Sequence, residues 1–474
     1  FVIITENDIF TSRTRKKQKK KKYEGIGCVR RQDDKGSVRE MSRAISAART
    51  AEAAENTRSA EERPIEAFGR AKSAPPRLKD AFFLAFLSSL GPFAAGAYLP
   101  SFRMIAGELG GSMLAVQQSL TIYLVAFAVS CLFVGAISDA FGRRRVIIGG
   151  TLLFAVASVG AMFAGSLETL WFWRGVQGVC ASVGPVVTQA VVRDRWEGTD
   201  AAKLLSLMAV LFALSPALSP VVGGWIAVHA GWRVIFLFLA VFNLGICLSA
   251  ALGLKESLPP EKRRVFAPGA VLGPYGRALR HKAFMAGVVG HGFCFLGAIV
   301  YTAGSADFVL NIIGMQPDQF AWYMFPIIAA TMTGAWLSPR LAARTSPKKL
   351  VLGAAVVMAV TGLTTAWIER DAALPYPWIL STPIIYSFCM SLVRPVMNVM
   401  NLDYFPQARG TAASIQQFCQ TMAFASSSAL LVPLILGWVS GYSLVTAGSG
   451  LCVLGLWAIV FSERRRLGFK DERF

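Results

Sequence analysis

The chain has 474 residues and a formal charge of +20, yet only 16% of them are charged and 54% are hydrophobic, with a mean hydropathy of +0.49. A soluble chain of this length would divide into two or three domains with far more surface charge. The apolar residues instead form blocks of roughly 20, each able at ~1.5 Å per residue to cross a hydrocarbon layer of ~30 Å. Backbone amides in lipid need internal partners, so such blocks are helices, and the alternating pattern of a membrane barrel is absent.

Residues 1–79 are polar. Residues 1–80 carry 20 Lys/Arg and 12 Asp/Glu, the remainder 28 and 16, so the net charges are +8 and +12 and the basic excess runs along the whole chain. No nucleic-acid partner is expected from that distribution. The run Arg13–Lys22 has no apolar segment after it and is not a secretory signal. It reads as a disordered tail, with Met41 as a natural start for a compact protein, or as an electrostatic anchor on anionic headgroups.

Spans are predicted at 81–101, 114–138, 146–165, 168–190, 204–228 and 233–253, then at 283–306, 320–342, 350–369, 377–398, 412–436 and 442–462. The expected fold is an all-α membrane protein of twelve helices in two six-helix bundles, 80–253 and 283–462. A central loop, 254–282, joins them, and a short tail, 463–474, closes the chain. The loop holds seven Lys/Arg and the pair Pro259-Pro260. With both termini cytoplasmic, inner segments hold 23 Lys/Arg and outer loops only Arg103, Arg233 and Arg370, which fixes the orientation by the positive-inside rule. The expected location is the bacterial inner membrane. Seven of the eight cysteines fall in apolar blocks without C-x-x-C spacing and read as small buried hydrophobes. No metal site is expected.

Between spans two and three stands Gly135-Ala-Ile-Ser-Asp139-Ala-Phe-Gly142-Arg143-Arg144-Arg145. Glycines permit a tight turn, Asp139 is placed to meet the positive end of another helix, and the arginines to meet headgroups or carboxylates. In span five, Pro216 and Pro220 each remove a backbone donor, while Gly223-Gly224 let a neighbouring backbone approach. Arg174 lies about seven residues inside span four, where an arginine faces a cavity or a partner.

The Gly135–Arg145 segment resembles the signature loop of the major facilitator superfamily. The likeness continues through Trp173-Arg174-Gly-Val-Gln177-Gly178, Val192–Asp200, Ser215–Gly224, Gly231–Phe236, Tyr98-Leu-Pro100, Phe405-Pro406 and Gly410–Ser414. Together these resemble the bicyclomycin/chloramphenicol-resistance branch of drug:proton antiporters over residues 81–465. The resemblance implies two bundles rocking about a central cavity. It implies a span-five motif sealing the outward path, and a span-four arginine, Arg174, linked to proton coupling. That branch usually has an aspartate before its Tyr-Leu-Pro and a glutamine in span two; here these are Gly96 and Cys131. Glu168, at the edge of span four, is the one acid in the first six spans.

Replacement coupling groups are sought in the second half. His291, near mid-membrane, reads as a proton carrier or as a hydrogen-bonded packing residue. Asp307 reads as a cavity carboxylate or a solvated helix end, and Arg394 as a snorkelling cation or a site for an anionic group. Tyr98, Gln118, Tyr123, Tyr301 and Asn398 are the cavity candidates. The expected function is export of small drug-like or metabolite molecules from a monomer in the bilayer. No cofactor is expected, because no Walker-type ATP motif is present and a proton gradient supplies the energy. A proton-independent facilitator and a non-transporting sensor or adaptor are the competing readings. No enzymatic activity is expected.

Overall fold

The computed structural model describes residues 78–196, 198–263, 275–370, 374–405 and 409–466. The polar tail up to residue 77, its basic run and residues 467–474 lie outside the described residues. Every long element is helical. Eleven helices are long and apolar enough to cross a membrane, and Gly198–Ala230 supplies the twelfth of the layout.

The first half contains α1 (Leu78–Gly96), α2 (Met113–Phe141), α3 (Arg143–Met162), α4 (Leu167–Ala181, continued by Val183–Arg195), α5 (Gly198–Ala230) and α6 (Trp232–Gly253). The second contains α7 (Lys282–Ala303), α8 (Phe320–Arg344), α9 (Pro347–Ile368), α10 (Ser381–Leu402), α11 (Arg409–Ser426) and α12 (Val439–Arg466). Boundaries obey local chemistry. Ser112, Ser166 and Ser346 cap α2, α4 and α9 by accepting from the amides of Ala115, Thr169 and Lys349. Gly142, at φ +96°, makes the reversal from α2 into α3 that a Cβ would strain.

Within the first half α1 packs on α5, α2 on α4, and α3 on α4 and α6; within the second α12 packs on α7 and α9, and α8 on α10. The halves meet where α2 lies along α11 and α5 along α8. Phe86, Val156, Trp225, Val241, Trp336, Val360 and Leu451 are exposed around the outside. A water-facing surface of that kind would be an aggregation liability, and lipid is the solvent that suits it.

Two of the predicted boundaries that move bear on the site. Span one does not stop at residue 101. After a 3-10 turn at Leu99–Ser101 it continues as a short helix, Phe102–Glu108, so Arg103 is helical rather than in a loop. Span seven ends at Ala303, and the chain passes through Ser305–Asp307 into a π-helical turn, Phe308–Ile312. Turns at Gly142, Trp196, Thr345 and Asp403 lie on one face of the bundle, the basic face; the Phe102–Glu108 helix and Phe308–Ile312 lie on the opposite one, the far face.

Candidate functional site

Between the halves lies a cavity walled by α1, α2 and α5 on one side and α7 and α11 on the other. The first-half wall is apolar, with Gly91, Ala95, Leu124, Phe127 and Phe212. The second half adds Phe295 and polar groups from Thr302, Gln417, Gln420 and Thr421. Gly96 is on this wall, so the position where the resemblance calls for an aspartate does face the cavity. Of the five predicted cavity residues, Tyr123 alone is on the wall. Tyr98 and Tyr301 are fully buried elsewhere, Gln118 is half-buried off the wall, and Asn398 is exposed on α10.

Arg174 is fully buried one layer behind that wall. Its guanidinium lies 4.1 Å from the ring centroid of Tyr123 and 4.3 Å from that of Tyr98. Nη1 donates to Gln177 Oε1 at 2.8 Å and to the Ala94 carbonyl at 3.3 Å, while Nε and Nη2 have no acceptor. Gln177 in turn donates to Ser158, Tyr123 to the Gly91 carbonyl, and the Tyr98 hydroxyl pairs with Ser119. No carboxylate pairs with Arg174 among the described residues. Two aromatic faces stand where a counter-ion would otherwise be.

At the far face the halves are tied by hydrogen bonds. Gln117, not the predicted Gln118, donates to the Ala303 carbonyl and to Ser428, both at 3.0 Å, and Thr121 donates to Ser428 at 3.1 Å. Arg103 donates to the Leu310 carbonyl at 3.4 Å and to Asn311 Oδ1. Asn311 donates through Nδ2 to Asp307 Oδ1 at 2.8 Å, while Asp307 Oδ2 accepts from the Gly437 amide at 3.0 Å and the Tyr442 hydroxyl at 3.1 Å. Asp307 is therefore no solvated helix end. It is buried beneath three donors because the chain turns inward at Gly304 before the π turn. The span-five glycines complete the closure. Gly223 packs on the Ala97 carbonyl and Gly224 on the Pro317 carbonyl, at separations that leave no room for a side chain.

On the basic face Asp139 does not meet a helix N-terminus. It pairs with Arg143 at 2.5 Å, because the Gly142 turn folds Arg143 back over the last turn of α2. The carboxylate at the start of α3 is Glu256, which accepts from the amides of Arg143 at 3.0 Å and Arg144 at 3.3 Å. Arg143 also reaches Asp194 at 3.2 Å, and Arg144 donates to the Ala251 carbonyl at 2.6 Å. The arginines thus bind protein groups. Gly135 sits on α2 opposite Val186.

The remaining candidates occupy α7 and α10. His291 is buried, with Nε2 3.4 Å from Gln416 Nε2 and Nδ1 unpartnered; Gln416 also donates to Asn398 at 3.1 Å. Arg394 is half-buried, its guanidinium 5.8 Å from the centroid of Phe295 on the cavity wall. Sequence reasoning missed Arg103, Asn311, Gln117, Ser428 and Glu256. It missed Glu369 too, buried at the end of α9 and accepting from the Ser443 hydroxyl at 2.9 Å. Among the described residues no cluster of His, Cys, Asp and Glu could hold a metal.

Residues 81–428 match the family model described as Major Facilitator Superfamily. The chain is similar to an uncharacterized MFS-type transporter, YdgK, of Bacillus subtilis, at 33% identity over 342 residues, 72% of this chain and 85% of that one. Multidrug resistance protein D of Escherichia coli is 28% identical over 73% of this chain and 88% of its own length. A bicyclomycin resistance protein homolog of Haemophilus influenzae is 26% identical over 70% and 83%. Among solved structures a D-xylose-proton symporter superposes with a TM-score of 0.61 at 17% identity, covering 79% of this chain and 97% of that one, a likeness of fold.

Proposed function

The chain belongs to the major facilitator superfamily, and on that premise we propose that it is an exporter of small drug-like molecules, driven by inward movement of protons. It is a multi-pass membrane protein and not an enzyme. The bicyclomycin-resistance and multidrug-resistance relatives support the drug-efflux reading. We place it in the bacterial inner membrane as a monomer, with the basic face and both termini in the cytoplasm. The far face is then periplasmic.

The observation that carries the proposal is the closure of the cavity at the far face around one buried carboxylate, Asp307. Ionised, Asp307 accepts three hydrogen bonds and orients Asn311 so that its amide oxygen meets Arg103 of the first half. A proton on Asp307 adds a donor where three donors already converge, and the cluster must loosen. The Arg103–Asn311 tie weakens with it, and the far face opens. Release of substrate there and loss of the proton to the basic side would return the closed form. Gly96 leaves the cavity free of the carboxylate found in the branch it resembles, and Asp307 takes the coupling role. Arg174 then serves to hold α1, α2 and α4 together behind the cavity through Ala94, Tyr123 and Tyr98.

Proton movement in proteoliposomes tests this reading. With an imposed pH gradient, chloramphenicol or a comparable drug should collapse the gradient faster in liposomes holding the protein than in empty ones, and Asp307→Asn should abolish that difference. Drug flux that ignores the gradient would replace antiport with facilitation. No flux for a broad drug panel would favour a sensor.

A further inference from the structure

The electrostatics of the cavity specify the charge of its occupant. None of the described residues on the wall carries a carboxylate or an ammonium group. Behind the wall stand two guanidinium groups, each stacked on a residue that lines it. Arg174 lies 4.1 Å from the Tyr123 centroid, and Arg394 lies 5.8 Å from that of Phe295. Neither forms an ion pair among the described residues, and Arg174 keeps two buried nitrogens without any acceptor. The far-face carboxylate, Asp307, is occupied by its own three donors.

We infer that the cavity binds amphipathic organic anions, molecules with an aromatic or branched apolar body and a delocalised negative charge, and rejects organic cations of the same shape. This rests on reading the cavity as the substrate site of an exporter. Three physical effects point the same way. A desolvated cation in an apolar cavity needs a counter-charge, and the wall offers none. An aromatic ring that already carries a guanidinium on one face is a poorer partner for a second cation, so the usual attraction of Tyr and Phe walls for cations is diminished. The direct Coulomb effect of one guanidinium at roughly 8–10 Å, with an effective dielectric constant of about 20, changes affinity by on the order of tenfold, favouring an anion and disfavouring a cation. For the anion's polar end, the Gln420 amide and the Thr302 hydroxyl are on the wall with no hydrogen bond of their own among the described residues.

Tetraphenylborate and tetraphenylphosphonium, nearly identical in shape and opposite in charge, are the probes. Their binding to the purified full-length protein in detergent is measured by equilibrium dialysis, with protein-free micelles as the blank. The borate should bind on the order of a hundredfold tighter, a tenfold gain for the anion multiplied by a tenfold loss for the cation. Gln417→Glu places a carboxylate on the wall with almost no change of shape, and should bring the ratio to near unity or reverse it. Gly96→Asp, where Ser219 can rotate away and donate to the new carboxylate, is a second way to the same result. Arg394→Gln should lower the ratio severalfold by removing one of the two cations. Equal or tighter binding of the phosphonium by the unaltered protein overturns the inference. So does a ratio that neither Gln417→Glu nor Gly96→Asp changes, or a failure to bind either ion. The efflux reading fails separately: an anion-selective protein that moves no substrate in liposomes would leave this inference standing and remove that one.

Discussion

Asp307→Asn keeps the shape of the side chain and changes one acceptor into a donor, and the surrounding geometry dictates how the cluster rearranges. Two donors, the Gly437 amide and the Tyr442 hydroxyl, address Oδ2, and one, Asn311 Nδ2, addresses Oδ1. The new amide keeps more bonds by placing its oxygen at the Oδ2 position, which turns its NH2 towards that of Asn311. Asn311 must then flip, and its own NH2 comes to face Arg103, where the oxygen had accepted. The Arg103–Asn311 bond between the halves is lost, although Arg103 keeps the Leu310 carbonyl. A hydrogen bond to a charged group contributes about 1.5–3 kcal/mol, and the exposure of this one puts it at the lower end. A loss of about 1.5 kcal/mol shifts the balance between far-closed and far-open forms roughly tenfold. The readout is a cysteine at Thr302, on the cavity wall, in a chain whose other cysteines are serine. A membrane-impermeant maleimide added on the far side should label it about tenfold faster in the Asp307→Asn protein. Arg103→Ala should give at least as large an increase, since it also removes the Leu310 bond, and the double variant little more than Arg103→Ala alone, because the Asn311 bond is already gone. Unchanged labelling, or fully additive increases, would refute the latch.

Three other substitutions, with Gly245→Ala as a control, probe the helix contacts directly. Gly223→Ala should lower thermal stability in detergent by the equivalent of about 1–3 kcal/mol, since α1 and α5 must separate around the Ala97 carbonyl, whereas Gly245→Ala, with open space around it, should be neutral. Glu256→Gln should lower stability by about 1–2 kcal/mol by removing the negative charge at the start of α3; thermal unfolding in low salt measures it. Arg174→Lys should abolish drug export in cell accumulation assays, because a compact ammonium cannot stack between Tyr98 and Tyr123 and reach Gln177 together.

The twelve helices and their order were legible because lipid imposes one simple demand, a long apolar run for every crossing. The tight reversal at Gly142 and the crowding at Gly223 and Gly224 were legible too, since glycine at those positions has a local steric meaning. Partner choice escaped. Gln117 and Gln118 are neighbours in sequence, and only the rotation of α2 about its axis decides that Gln117 meets Ser428. Asp139, close in sequence, drew attention as the carboxylate for a helix start, whereas Glu256, far along the chain, caps α3 only because of how the chain leaves α6. Arg103 was placed in a loop because span one was ended at residue 101, whereas the chain goes on through a 3-10 turn that begins with a proline into a further short helix. The fate of Asp307 turned on the path after Gly304, a feature no periodicity announces.

The contact of Gly224 with the Pro317 carbonyl has a consequence for speed. Interlocked side chains must unhook one rotamer at a time before two surfaces can part. A smooth seam of main chain against main chain has nothing to unhook, and separating it wets little greasy area. The doorway on that side can therefore swing on a low barrier, with its timing left to the few polar bonds strung along its edge.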